Sequence, residues 1–156
     1  MLDTLVDVPH VAVALGLASL AMVATVAALP TTPPPDAAAA GETIDAVAAS
    51  PHPTVAAHPL TAAALRLGPE TVALRNDGGT AHARLARGPV TPVGQSGPLD
   101  RVLDGVSPER VFGSPGEFAA ALALARNRTP TWRPAGEELR VRNVAWEDVD
   151  ATLVGA

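Results

Sequence analysis

Residues 71–86, with the sequence TVALRNDGGTAHARLA, contain the clearest hairpin signal in the chain. The turn signal is NDGG at 76–79, whose residues tolerate the positive φ angles that tight turns require. After the turn, Thr, His and Arg alternate with Ala, Ala and Leu, which gives one polar and one apolar face. Residues 63–67 form another extended run, and GPE at 68–70 permits a tight reversal between the two. Three consecutive antiparallel strands are therefore predicted.

A second hairpin is predicted near the carboxyl terminus. Residues 139–142 alternate apolar side chains with arginine, so Arg140 and Arg142 are expected to point outward. Residues 149–153 alternate in the same way, with Thr152 on the polar face. These two strands bring the expected total to about five.

Helices are predicted between and beside the strands. Asp36 can cap a helix over residues 37–49, whose apolar side chains recur at helical spacing. A short helix is expected at 99–103. Ser114 and Glu117 fit a capping box, with proline at the first helical position, so another helix starts there.

These elements predict an α+β domain over residues 36–156, with one mainly antiparallel sheet of about five strands and two to three helices. Aromatic residues are only 3% of the chain, so the core must be built mainly from Val, Leu and Ala. The absence of cysteine excludes disulfide scaffolds, thiolate zinc sites and cysteine nucleophiles. The net charge of -5 disfavours binding to nucleic acid.

An apolar stretch precedes this domain. Residues 11–29, VAVALGLASLAMVATVAAL, contain no ionisable group. As a helix they would extend about 28 Å, close to the hydrocarbon thickness of a bilayer. We expect a single transmembrane helix here, with the lipid bilayer as its partner. A cleaved signal peptide and a buried soluble helix are the alternatives, although a signal peptide normally has a basic start that this chain lacks.

The flanks of the stretch define the remaining organisation. Residues 1–10 form a short tail, and the proline-rich residues 30–35 are expected either to form an extended stalk or simply to end the helix. Neither flank contains Lys or Arg, and the first residue of either type is Arg66, so the positive-inside rule gives no orientation. Long domains translocate largely regardless of charge, so we expect the domain outside the cell; the opposite topology stays open.

The sequence assigns no catalytic, cofactor-binding or metal-binding residue. The spacing of the four histidines matches no compact zinc motif. They are His10, His52, His58 and His82. Ser96 lies in a loop, but Pro98 occupies the place of the second glycine of a nucleophile elbow, which favours a turn serine. The motif at 76–79 lacks the arrangement of a phosphate-binding loop, so no nucleotide is expected. The chain is therefore expected not to be an enzyme.

Other polar residues have ordinary explanations. The acidic pairs at 137–138 and 147–148 are expected to be solubilising turn residues, because neighbours on a strand point to opposite faces. Asn127 begins a glycosylation sequon, which is usable only if the domain faces outward.

Two features bear on protein partners. Small residues four positions apart within 11–29 would allow close approach of a second membrane helix, without requiring it. Three arginines are expected to point outward: Arg84, Arg140 and Arg142. They are expected either to form a stripe for an anionic partner or to pair with acidic residues across the strands.

Several segments together resemble an uncharacterised family of short haloarchaeal single-span membrane proteins. Besides the apolar start, they are PTTPPPD at 30–36, IDAVAAS at 44–50, LRNDGGTAH at 74–82, GPVTPV at 88–93 and VDATLVGA at 149–156. The resemblance implies a link to type IV pilus-like or secretion gene clusters. A typical type IV prepilin has a basic residue and a glycine before its cleavage point and a glutamate after it. This chain has neither feature, so ordinary prepilin processing is not expected.

The functional expectation is a noncatalytic single-span protein of the cell membrane. By the resemblance, it would be a pilin-like or accessory subunit of an archaeal surface appendage or secretion assembly, with other membrane subunits as partners. The alternative is a membrane-tethered ligand-binding or sensor domain, for which the arginine stripe is the supporting feature.

Overall fold

A computed structural model describes residues 32–156 of the chain. The expected tail at 1–10 and the expected membrane-spanning helix at 11–29 lie outside the described residues. Among the helices of residues 32–156, none combines the length and apolar character needed to cross a bilayer.

The described residues form three α-helices and eight strands. The helices are α1 (Ala37–Ala48), α2 (Pro98–Leu103) and α3 (Pro115–Arg126), with a 3-10 turn at Pro108–Arg110. The strands are β1 (Val55–Pro59), β2 (Ala64–Leu67), β3 (Thr71–Asn76), β4 (Gly79–Arg84), β5 (Thr91–Pro92), β6 (Arg133–Pro134), β7 (Glu138–Trp146) and β8 (Val149–Gly155). The α+β class and the three predicted helices are confirmed.

The prediction of one sheet with about five strands is wrong. The strands form two four-stranded sheets: sheet A has the order β1-β7-β8-β5, and sheet B has the order β4-β3-β2-β6. The three strands that the sequence did not reveal are β1, β5 and β6, whose short sequences are VAAHP, TP and RP. Alanine and proline give no alternating strand signal. Each predicted hairpin therefore gains its own additional strands instead of joining the other hairpin.

Sheet B contains the three strands predicted around 71–86. β2 pairs with β3 and β3 pairs with β4, both antiparallel. In the β3–β4 turn, the Asn76 side-chain oxygen accepts a hydrogen bond from the Gly78 N–H at 2.9 Å. Gly79 has a φ of 139°, a conformation that favours glycine. The turn chemistry read from the sequence is therefore confirmed.

The first core lies where α1 packs against strands of both sheets. Its largest fully buried side chains include Ile44 from α1, Leu74 from sheet B and Leu139 from sheet A. A side chain of α1 also binds the backbone outside this core. The Asp45 carboxylate accepts hydrogen bonds from the Ala86 and Arg87 backbone N–H groups at 3.0 and 2.8 Å. Helix α1 is thereby held to the segment that follows β4.

The second core lies between α2, α3 and the other face of sheet A. Phe118 of α3 is fully buried there, beside Leu103 of α2 and Leu153 of β8. Both faces of sheet A are therefore covered. Thr152, expected on a polar face, is instead buried, because its face of β8 also carries Val154 of the first core.

Helix starts follow the predicted capping with one difference. The Asp36 carboxylate accepts from the Ala39 N–H at 2.9 Å, and the Ser114 hydroxyl accepts from the Glu117 N–H at 3.2 Å. The Glu117 carboxylate accepts from the Gly113 N–H rather than from Ser114, so the reciprocal bond lies one residue earlier than in a capping box.

The proline-rich segment is in contact with the domain where it is described. Pro35 is buried, and the Pro33 carbonyl accepts a hydrogen bond from the Asn76 amide at 3.0 Å. The last residues of this segment are therefore part of the folded unit, which begins at Pro33.

Candidate functional site: a cationic face on sheet B

The outward face of sheet B carries an arginine–tryptophan–arginine stack. Arg66 lies on β2, and Arg75 lies on β3 opposite Ala64, so the antiparallel register places both arginines on the same face. The indole of Trp132 contacts both, with guanidinium carbons 4.9 Å (Arg66) and 4.6 Å (Arg75) from its ring centroid. These are cation–π distances. Trp132 thereby holds two positive charges close together on one surface.

The face continues onto strand β4. Register pairs Thr80 with Arg75, His82 with Ala73 and Arg84 with Thr71, so the exposed side chains of β4 lie on the same side of the sheet. The Ala73 side chain is buried beneath this layer. We call the surface formed by Arg66, Arg75, Thr80, His82, Arg84 and Trp132 the cationic face.

Charge on this face is only partly compensated. Arg84 lies 3.5 Å from the Glu70 carboxylate, and both side chains are largely exposed. Exposed pairs of this kind contribute little and exchange readily with other partners. Within residues 32–156, no carboxylate lies within ion-pair distance of Arg66 or Arg75. In a chain with net charge -5, this face is suited to an anion.

The arginine stripe expected from the sequence does not form. Arg140 pairs with Asp100 and Asp104 at helix α2, and Arg142 donates to the Val102 and Val106 carbonyls, the latter at 3.1 Å. Both side chains project from sheet A towards α2, because that face of the sheet is covered by helices. Their expected outward position is therefore wrong.

Arg84 is the one member of that stripe that remains outward, and it lies on the other sheet. Its partner is the acidic residue just before β3. The prediction that these arginines pair with acidic residues is thus confirmed for Arg84. Arg140 also pairs with acidic residues, Asp100 and Asp104, but they lie at helix α2 and not on a neighbouring strand.

The described histidines lie in separate surroundings. His58 Nδ1 lies 3.2 Å from the Thr43 hydroxyl, and His82 belongs to the cationic face. The backbone carbonyl of His52 accepts from the Ser50 and Thr54 hydroxyl groups. Within residues 32–156, no group of three potential metal ligands is found. His10 lies outside the described residues.

Ser96 lies in an exposed turn, as expected. Its φ is 64°, and its backbone N–H donates to the Asp100 carboxylate at 2.7 Å. Because the bond is made by the backbone N–H, it supports the turn before α2 and does not involve the hydroxyl. Glu147 has a φ of 52° in the β7–β8 turn, and Asn127 is the exposed C-cap residue of α3.

A polar pocket of about 350 Å³ was not foreseen from the sequence. It lies between the loop after α1 and the β7–β8 hairpin, and Ser50, His52, Arg126 and Asn143 help to line it. The Asn143 amide donates to the Ser50 carbonyl at 3.0 Å, and Arg126 Nε donates to the buried Thr91 hydroxyl at 2.8 Å. These donors are engaged in holding protein segments together, so the cationic face is the stronger candidate.

Sequence reasoning missed the central part of the cationic face. The sequence predicts neighbouring strands for Arg66 and Arg75, but it does not give the register between them. The observed antiparallel register is what puts both arginines on one face. Trp132 belongs to a segment far along the chain, and no local pattern connects it to either strand. Its position follows from the pairing of β6 with β2, which directs the preceding residues onto sheet B.

Comparison with known proteins gives one family. A family model described as a family of unknown function, DUF7283, matches residues 3–144. No curated protein and no solved structure matches significantly. The match includes the apolar stretch at 11–29 and most of the described residues, and it confirms the expectation of an uncharacterised family. The chain therefore belongs to DUF7283, a family of proteins of unknown function.

Proposed function

We propose that this protein is a noncatalytic, membrane-tethered binding protein that presents the cationic face of sheet B to an anionic partner. The observation that carries the proposal is the stack of Arg66 and Arg75 on Trp132. A guanidinium that is stacked on an aromatic ring still has N–H donors at its edge, which match the geometry of a carboxylate or phosphate.

Preorganisation adds to this argument. A free arginine side chain loses considerable rotamer freedom when it binds, and that loss weakens the complex. Contact with Trp132 restricts both arginines before a partner arrives. A partner therefore meets two positive charges that are already positioned.

The tether is proposed from the sequence. Residues 11–29 are uncharged and long enough to cross a bilayer as a helix. The family model matches residues 3–144, which include both this stretch and most of the domain. We place the domain outside the cell. Protease added to intact spheroplasts should then remove it, whereas protection of the domain would reverse this placement.

Binding of poly-L-glutamate to the full chain in zwitterionic detergent tests the cationic face. Arg66→Glu and Arg75→Glu should each weaken binding by roughly tenfold or more, because they replace attraction by repulsion. Arg110→Glu makes the same charge change at an exposed residue outside this face and should have little effect. Affinity should also fall as salt rises from about 0.05 to about 0.5 M.

Equal effects of all three substitutions would contradict the proposal, since binding would then follow overall charge. A wild-type chain that does not bind poly-L-glutamate at low salt would also contradict it.

A second candidate follows from the resemblance to haloarchaeal membrane proteins. In this version the protein is an accessory subunit of a pilus-like or secretion assembly, and other subunits are its partners. The small residues at four-residue spacing within 11–29 favour it, because they would allow helices to approach closely. Co-purification with the ATPase or platform protein of such an assembly would support this candidate.

A further inference from the structure

Strand β4 has an unpaired edge. It is an outer strand of sheet B, and among residues 32–156 no strand pairs with its second side. The Leu85 N–H donates to the Glu70 carbonyl at 2.8 Å. Leu85 and every second residue before it therefore direct their backbone groups towards β3. Alternate residues of an antiparallel edge strand direct their backbone groups away from the neighbour. Thr80, His82 and Arg84 are these residues, so β4 presents three N–H donors and three carbonyl acceptors.

Each of the other three edge strands contains a proline. β1 ends with Pro59 and follows Pro53, while β5 and β6 have two residues each and include Pro92 and Pro134. Proline and short length are the usual protection of an edge strand against pairing with another chain. β4 has six residues and no proline. In the described part of the chain, the edge of β4 is therefore the longest one free of proline and the best suited to accept a further strand.

The cationic face adjoins this edge. Thr80, His82 and Arg84 point their side chains to the same face as Arg66 and Arg75. In a strand added to β4, every second side chain would lie on this face as well. Acidic side chains at those positions would lie beside His82 and Arg84 and on the same face as Arg75 and Arg66, whereas basic ones would be repelled.

The same charges disfavour a second copy of this chain as the occupant. Two β4 edges paired with each other would bring two cationic faces side by side, which places like charges on neighbouring strands. Charge complementarity therefore selects an acidic partner.

We propose that sheet B binds an extended acidic peptide segment by strand addition at the free edge of β4. Backbone hydrogen bonds from Thr80, His82 and Arg84 hold the segment, and its acidic side chains lie over the cationic face. This inference rests on the proposed binding function and specifies the partner and its mode of attachment.

The test uses a capped peptide of alternating glutamate and valine, bound to the full chain in zwitterionic detergent. His82→Pro removes one outward N–H without removing a β3–β4 bond, since that N–H points away from β3. His82→Ala is the matched control, because it removes the side chain and keeps the N–H. We expect His82→Pro to bind the peptide roughly tenfold more weakly than His82→Ala does, because both variants lack the imidazole and only His82→Pro also lacks the N–H.

Amide hydrogen exchange of the wild-type chain provides a measurement that does not depend on the folding of any variant. Peptide binding should slow exchange at Thr80, His82 and Arg84, while Ala81 and Ala83, already bonded to β3, should change little. The same alternating peptide with lysine in place of glutamate should not bind.

The outcomes separate the two proposals. If the acidic peptide binds with equal affinity to both His82 variants and exchange at β4 is unchanged, strand addition is wrong and the cationic face alone accounts for binding. If the acidic peptide does not bind the wild-type chain, both proposals fail. Slow exchange at these amides before any peptide is added would also overturn strand addition, because another copy or residues 1–31 would already occupy the edge.

Discussion

At the scale of single residues, Asp45 makes a testable contribution to stability. Its carboxylate accepts two backbone N–H bonds that connect α1 to the segment after β4. Asp45→Asn should lower the free energy of unfolding by about 1–2 kcal/mol, because charge-assisted hydrogen bonds are lost. Denaturant unfolding of the full chain in detergent measures this change. Glu42→Gln, an exposed acid-to-amide change in the same helix, should be nearly neutral; equal losses would contradict the assigned role.

Residues of the candidate site differ in how far the sequence revealed them. Thr80, His82 and Arg84 were placed correctly, because strict alternation after a clear turn fixes which face each side chain occupies. Arg142 was placed incorrectly. Alternation identifies two faces of a strand but not what covers each face, and helix α2 covers the one that carries Arg142.

At the scale of elements, a close approach between β8 and α2 gives a second prediction. A Cβ on Gly155 would lie 2.8 Å from Leu103 Cδ2, whereas a Cβ on Gly94 would lie 3.5 Å from its nearest neighbour, Arg133 Nη1. Gly155→Ala should therefore destabilise the protein by about 1–3 kcal/mol through overpacking. Gly94→Ala is the control and should have little effect. Similar thermal unfolding midpoints for the two variants would contradict this contact.

Local signals explain which elements were predictable. Helices α1 and α3 have side-chain caps and proline or aspartate at their starts, and the two hairpins have alternating patterns around turn residues. Strands β1, β5 and β6 have none of these signals, since each is held by a neighbour with which it pairs. These three strands occupy the outer sides of β7, β8 and β2, where the two hairpins could otherwise have joined, so the division into two sheets could not be derived from periodicity.

At the scale of the whole molecule, the tether gives a prediction that does not depend on the domain. The full chain should remain with membranes after alkaline carbonate extraction. Leu17→Arg combined with Leu20→Arg should release it, because each arginine near the centre of a span costs roughly 3 kcal/mol. The control is Leu17→Val with Leu20→Val, which keeps the stretch apolar. Wild-type, uncleaved chain in the supernatant would contradict the proposed tether.

Binding at the cationic face can be followed directly, because the chain has two tryptophans in different surroundings. Trp132 stacks between Arg66 and Arg75, whereas Trp146 packs near Phe118 in the second core. Incorporation of 5-fluorotryptophan gives each a fluorine signal, and titration of the full chain with the acidic peptide reports on both. The Trp132 signal should shift saturably while the Trp146 signal stays in place. An unmoved Trp132 signal at saturating peptide would contradict binding at the cationic face.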